Sequence, residues 1–225
     1  FDQAVMLIDT VDERSRFVTG VVLNSPTGIT LGQLLQRRRG AQDRALERRL
    51  QAVAAGALLG CRVFRGGPVI GADPSLEASM RWLHVHGEGL EGAQRVAPAV
   101  WLGGDPAEIA ARAGEDLSGV RCLLGCASWA PVQLAVELER GVWVRARWLG
   151  GGAGDAEGEP RSICFGPAAR DAAWRSALRA AGAEVLAAFP SSLPGVKRRL
   201  RGYLEGARRR SVAGPGSYAE AEDER

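Results

Sequence analysis

Short apolar runs punctuated by glycine or proline, with capped helices between them, restrict this chain to a mixed fold of sheet and helix. The runs are Ala4–Ile8, Val18–Leu23, Cys61–Phe64, Trp82–Val85, Val96–Leu102, Val120–Cys126 and Val142–Trp148. Their length is that of strands and too short for buried helices. Between them, Thr30 with Gln33 predicts a capping box that opens a helix through Leu34 and Leu35, and Asp105–Pro106–Ala107–Glu108 predicts a second with proline at its first position. A third begins at Pro131. Residues Asp43 to Ala55 put Leu46, Leu50 and Val53 on one face and Arg44, Glu47, Arg48 and Arg49 elsewhere, an amphipathic surface helix.

At 225 residues the chain has the size of one large domain, and such a chain buries about 70% of its unfolded surface without staples. A composition 46% hydrophobic and 24% charged is that of a globular protein. The apolar stretch Ala52 to Gly60 falls well short of the roughly 20 residues of a membrane helix, so no membrane span is expected. The net charge of +3 excludes a polyelectrolyte, but a pI near 8.9 leaves room for a local basic patch. Cys61, Cys122, Cys126 and Cys164 are scattered apart from one C-x3-C pair and lack zinc-type spacing, so reduced thiols are expected, with a disulfide across a turn as the alternative. The chain opens at Phe1 inside a half-apolar strand, which is expected to follow a missing start signal.

Residues Gly150 to Pro160, opening GGGAGDAEGE, read as an acidic glycine-rich loop with no phosphate-loop context. Ala168 to Leu186 is helical in pattern, around Ala172, Leu178 and Val185. After the break at Pro190–Pro194 a last helix carries Val196, Leu200, Leu204 and Ala207 on one face. Its other face carries Lys197, Arg198, Arg199, Arg201, Arg208, Arg209 and Arg210, and the tail ends in EAEDER. That helix is expected to dock its apolar stripe and offer cations outward.

The most patterned stretch is LLGCASWAPVQLAVELERGVW, residues 123 to 143. Leu134 and Leu138 lie four apart on one side of its helix, Gln133 and Glu137 four apart on another, and Trp129 and Trp143 bracket it. Two readings are open. In one the stretch is a packing device. In the other Gln133 and Glu137 line a groove beside Gly66, Gly67 and Pro68, where glycines admit a ligand to the backbone, with His84 nearby. Asn24 and Pro26 shape a turn or join that ligand site.

A nucleophile at Ser128 or Cys126 needs a base, and His84 and His86 are the two histidines. A Cys126–His84–Glu137 set is conceivable, but GCASW is not a G-x-S-x-G elbow, and no third metal ligand sits at diagnostic spacing. No catalytic residue, metal or cofactor is therefore assigned.

In order along the chain, FDQAVMLI, GVVLNSPTG, FRGGPV, WLHVHG, AVWLGGD, LLGCASWAPVQLAVELERGVW and AARDAAWRSAL form a series that resembles the AlgH (YqgE-like) family of bacteria and plastids over residues 1 to 187. Matching positions are Asn24, Pro26, Gly66, Gly67, Pro68, Val69, Leu83, His84, Gly103, Gly104, Gly125, Trp129, Gln133, Leu134, Glu137, Trp143 and Trp174. Departures are Ser25, where the family has a basic residue, Cys126, where it has an aromatic, and Ser128, where it has glycine. The resemblance implies a single α/β (α+β) domain: a curved, largely antiparallel sheet closing toward a barrel and flanked by helices. It carries no settled catalytic residues.

The expectation is a non-enzymatic interaction or regulatory protein. Residues 1–187 form an AlgH-like core, and residues 188–225 dock it to other protein subunits in a larger assembly. The alternatives are a small-ligand or enzymatic domain using the groove, and a nucleic-acid-associated subunit using the basic helix. Resemblance and composition suggest a chloroplast protein, with the bacterial cytoplasm as alternative.

Overall fold

The computed structural model describes residues 3–12, 17–38, 40–70, 76–145, 158–166, 172–175 and 177–178. They fall into two compact units, one of residues up to 134 with 158–166 and 172–175, the other of 135–145 with 177–178. The segment 188–225, with its predicted basic helix and acidic tail, lies outside the described residues.

In the first unit, β1 (Met6–Asp12), β2 (Phe17–Val22) and β3 (Pro26–Thr30) lead into α1 (Leu31–Arg38), α2 (Ala41–Gln51) and a 3-10 segment at Ala54–Gly60. Then come β4 (Arg62–Arg65), α3 (Leu76–Ser79), β5 (Met80–His84), β6 (Ala93–Ala97), β7 (Val100–Gly103), α4 (Pro106–Ala113) and a 3-10 turn at Leu117–Gly119. β8 (Val120–Leu124), β9 (Ala127–Trp129), the start of α5 (Pro131–Glu139) and α6 (Gly158–Phe165) complete the order.

The predicted caps are present. Thr30 N–H donates to Gln33 Oε1 at 3.0 Å and Gln33 N–H to Thr30 Oγ1 at 3.4 Å, opening α1. Asp105 Oδ1 accepts from the Ala107 and Glu108 amides at 2.8 and 3.2 Å, opening α4.

Several strands differ from the periodic reading, each through a local turn. Val96–Leu102 is not one strand but the hairpin of β6 and β7, turned at Pro98–Ala99 with Ala99 at φ 52°. Gly125, at φ 74°, turns the chain between β8 and β9, the latter carrying Trp129. Pro26 opens an edge strand, where its missing N–H costs nothing. Helix α6 begins within the predicted loop; Pro160 stands in its first turn, where proline is tolerated. Val142–Arg145 is not strand.

β1, β2 and β9 form a three-stranded antiparallel sheet, and β3-β4-β8-β5-β7-β6 a six-stranded one in which the β4–β8 pair is parallel. Val22 N–H donates to Gly66 O and Gly66 N–H to Leu124 O, both at 2.7 Å, so the sheets are joined at Gly66. No closed barrel forms among the described residues.

Alternation divides the six-stranded sheet. Val63, Met80, Trp82, Val120 and Cys122 pack beneath Leu31 and Leu35 of α1, Leu46 and Leu50 of α2, and Ile109 and Ala110 of α4. Phe64, Leu83, Leu102 and Leu123 meet Leu7 of β1, Val21 of β2 and Cys164 of α6 on the other side. The fold is thus a mixed sheet with helices on one face and a second sheet plus α6 on the other.

Candidate functional site

The glycines proposed as a ligand approach are filled by the chain itself. A Cβ on Gly66 would overlap the Gly125 carbonyl, and one on Gly67 would overlap the Cys126 carbonyl. Val69 N–H donates to Cys126 O at 2.8 Å and Cys126 N–H to Val69 O at 2.9 Å, locking the GGPV segment against the turn between β8 and β9. Pro68 is exposed beside this seam. Asn24 is fully buried and works as a strand extender: its Oδ1 accepts from Val5 N–H and its Nδ2 donates to Gln3 O, both at 2.8 Å.

His84, on β5, is also fully buried. Nε2 donates to Gly103 O at 2.9 Å, and Nδ1 accepts from His86 N–H at 3.3 Å, a pattern that needs the neutral Nε2–H tautomer. Burial first, opposed by the Gly103 bond and reinforced by His86 and Arg112, holds its pKa below the ordinary histidine value. His84 is a strut across the strand ends, with no nitrogen left over for a nucleophile.

The thiols match that inertness. Cys61, Cys122, Cys126 and Cys164 are all free. Burial pushes Cys61 up to about 11 and Cys164 to about 12, and raises Cys122 well above the usual range. Thiolate, the reactive form, is thereby suppressed at neutral pH. Cys126 is half-buried. Among the described residues, no group of three His, Cys, Asp or Glu side chains is placed to hold a metal ion, and no helix is long and apolar enough to cross a membrane.

Gln133 is exposed on α5, and Glu137 lies in the second unit. There Trp143 Nε1–H donates to Glu137 Oε2 at 2.7 Å, while Val142 N–H closes the helix end on Glu137 O at 2.9 Å. Lys197, Arg198, Arg199, Arg201, Arg208, Arg209 and Arg210 lie outside the described residues.

A second constellation, which no sequence spacing announces, surrounds a cleft of about 370 Å³ where β5 and β7 part. Their pairing ends at Leu83↔Leu102, because Gly103 and Gly104, at φ 96° and 88°, turn the chain away toward Asp105. Met80, Trp82 and Leu102 give the cleft an apolar lining, and Glu77, Arg81, Gln94 and Asp105 bring polar groups to it.

Arg81 belongs to the face of β5 that looks toward β1. Its Nη1 donates to Asp9 Oδ2 at 2.5 Å, and Thr19 Oγ1 donates to Asp9 Oδ1 at 2.6 Å. Asp9 is the extra residue of a β-bulge, between the pairs Ile8↔Gly20 and Thr10↔Thr19. Across the cleft, Arg49 bridges Glu77 at 3.2 Å and Asp105 at 2.6 Å.

Deeper in the same face, Arg121 is buried, donating to Leu23 O at 2.7 Å and Gly166 O at 2.6 Å, with its guanidinium 4.5 Å from the Phe64 ring centre. Burial lowers its pKa to about 10, against the thiols of Cys164 and Cys61. Gly166 follows α6, so the cation meets the negative end of that helix.

Comparison with known proteins gives one consistent relationship. A family model described as AlgH-like (DUF179) matches residues 1–185. A UPF0301 protein of Chlorobium luteolum is 28% identical over 177 residues, 77% of this chain and 80% of the relative. Another, of Pelodictyon phaeoclathratiforme, is 28% identical over 139 residues, 60% and 65% of the two chains. Among solved structures, the AlgH protein of Pseudomonas aeruginosa is similar with a TM-score of 0.42 at 18% identity, over 69% of this chain and 71% of that one. A Corynebacterium diphtheriae protein gives 0.40 at 24% identity, over 61% and 62%.

Proposed function

This chain belongs to the AlgH-like family, and on that premise we propose that it is a non-enzymatic interaction or regulatory protein, its core attached to a larger assembly through the segment after residue 187. The observation that carries the reading is His84. The residue best suited to be a general base is buried, neutral and bonded through both ring nitrogens to backbone, while three of the four thiols are driven away from thiolate. Among the described residues, His84 and these three thiols are spent on structure. The relatives found are bacterial, which favours the bacterial setting over the plastid one.

The attachment part rests on sequence, on the apolar stripe Val196, Leu200 and Leu204 opposite the cations from Lys197 to Arg210. Affinity purification of the full chain and of a chain ending at residue 193, with partners identified by mass spectrometry, tests it. Loss of a stoichiometric partner on truncation is expected, and unchanged recovery refutes the attachment. The same basic face supports a second reading, nucleic-acid binding; that reading requires affinity for duplex DNA or RNA to fall steeply between low and physiological salt.

A further inference from the structure

The cleft between β5 and β7 carries opposite charge on its two sides. Toward β1, Arg81 is held at one nitrogen by Asp9, and its guanidinium makes no other bond among the described residues. On the helix side two carboxylates, Glu77 and Asp105, share the single guanidinium of Arg49, and Asp105 also caps α4. Counted over these three side chains, that side has one more carboxylate than guanidinium, and the α4 amides share Asp105, which leaves Glu77 the less compensated of the two. Between the two sides Met80, Trp82 and Leu102 add a narrow apolar strip to a mixed lining, Trp82 and Leu102 being 3% and 5% exposed.

We propose that this cleft is a binding site for a small zwitterion of dipeptide size. The ligand's carboxylate sits on the open edge of Arg81, its ammonium group faces Glu77, and its apolar body lies over Trp82 and Leu102. This site is independent of the attachment proposed above.

Each feature of the ligand follows from the cleft. A guanidinium with one edge anchored and the other open is preorganised for a carboxylate. A purely anionic ligand meets the surplus carboxylate opposite, whereas an ammonium group neutralises it. A volume of about 370 Å³ lies at the small end of ligand pockets and is larger than one amino acid requires. Among the described residues no strand pairs with Met80–Trp82 on the β7 side, so a ligand containing a peptide unit meets an unpaired sheet edge, the geometry in which peptides add to sheets. Gly103 and Gly104 line the opposite wall.

The test is titration calorimetry on the full chain with alanyl-leucine, N-acetyl-alanyl-leucine and alanyl-leucinamide. Alanyl-leucine is expected to bind one to one, with each blocked derivative weaker by about tenfold or more. Arg81→Gln is expected to lose the preference for the free acid over the amide, and Glu77→Gln the preference for the free amine over the acetylated form. Since Arg81→Gln strands Asp9 and can impair folding, Glu77→Gln at a half-exposed position and the ligand series on the unaltered chain decide the matter without it. Equal binding of all three compounds, or no binding of alanyl-leucine at millimolar concentration, overturns the proposal.

Discussion

Asp9 Oδ2 lies 2.5 Å from Arg81 Nη1, and this contact ties the three-stranded sheet to the six-stranded one. The two partners are unequal in setting: the Asp9 side chain is 1% exposed, that of Arg81 37%. The carboxylate therefore depends on its partners, Arg81 and Thr19, while water shares the guanidinium.

Asp9→Asn keeps shape and removes charge, and it is expected to lower stability by about 1–2 kcal/mol, a buried-pair cost discounted for the half-exposed arginine. Arg81→Gln should cost at least as much, since it leaves the buried carboxylate with Thr19 alone. In the double variant the losses should sum to clearly more than the measured total. Urea denaturation of the four proteins checks this, and simple additivity would show that the pair is not coupled.

Acid should weaken the fold through its histidines. Both His84 and His86 have folded pKa values below the ordinary 6.5, first through burial. As pH falls below about 6.5 the unfolded chain takes up protons that the folded chain refuses, so stability declines, by at most about 1.4 kcal/mol per pH unit for each histidine. Above that pH these two groups contribute no slope. His84→Gln retains a donor for Gly103 O without the ionisable ring. Melting temperatures from pH 7.5 to 5.5 should fall less steeply in that variant, and an unchanged slope would contradict the assignment.

Arg121 is a buried cation that holds Leu23 O, Gly166 O and the face of Phe64 together. Arg121→Met fills the space of the stem and strands both carbonyls, at about 1–3 kcal/mol each. Arg121→Lys restores charge but lacks the fork to reach two acceptors on separate segments. Denaturant midpoints should therefore rank the arginine protein first, then Lys, then Met. A Met variant as stable as the parent would mean that the carbonyls find other donors.

The fold was legible wherever local chemistry dictates structure. The Thr30 and Asp105 caps, the buried stripe of Leu46 and Leu50, and the helix at Pro131 all follow from side chains within one turn of each other. The hairpin at Pro98–Ala99 and the turn at Gly125 were hidden inside continuous apolar runs, because periodicity does not register a strand reversal between two equally apolar arms. The cleft was hidden for another reason: its polar residues come from α3, β5, β6 and the cap of α4, and their ion-pair partners from β1 and α2, so no spacing connects them. A signal did exist in Asp9, Arg81 and Arg121, charged residues at inward positions of apolar strands, where an ion must be paired or bonded. Asn24, Gly66, Gly67 and His84 could be picked out in sequence, but whether each serves a ligand or the chain's own backbone depends on contacts 19 or more residues away.

Gly67 separates these two roles most sharply. A glycine kept for a ligand tolerates alanine in the unliganded protein, whereas a glycine kept for packing does not. Gly67 does not occupy the left-handed region, so alanine there is opposed by space alone: its Cβ would overlap Cys126, whose backbone is pinned to Val69 by two bonds. Relief requires the turn between β8 and β9 to move, with loss of the Val69 bridge, and a destabilisation of about 3 kcal/mol or more is expected. Gly60 is the internal comparison. It lies at the end of the 3-10 segment, where a methyl group on its Cα would meet nothing within 4 Å, so Gly60→Ala should leave stability unchanged or raise it by up to about 1 kcal/mol through the unfolded chain. Thermal denaturation of the two variants side by side checks the contrast, and a Gly67→Ala protein as stable as Gly60→Ala would return the GGPV segment to the ligand reading.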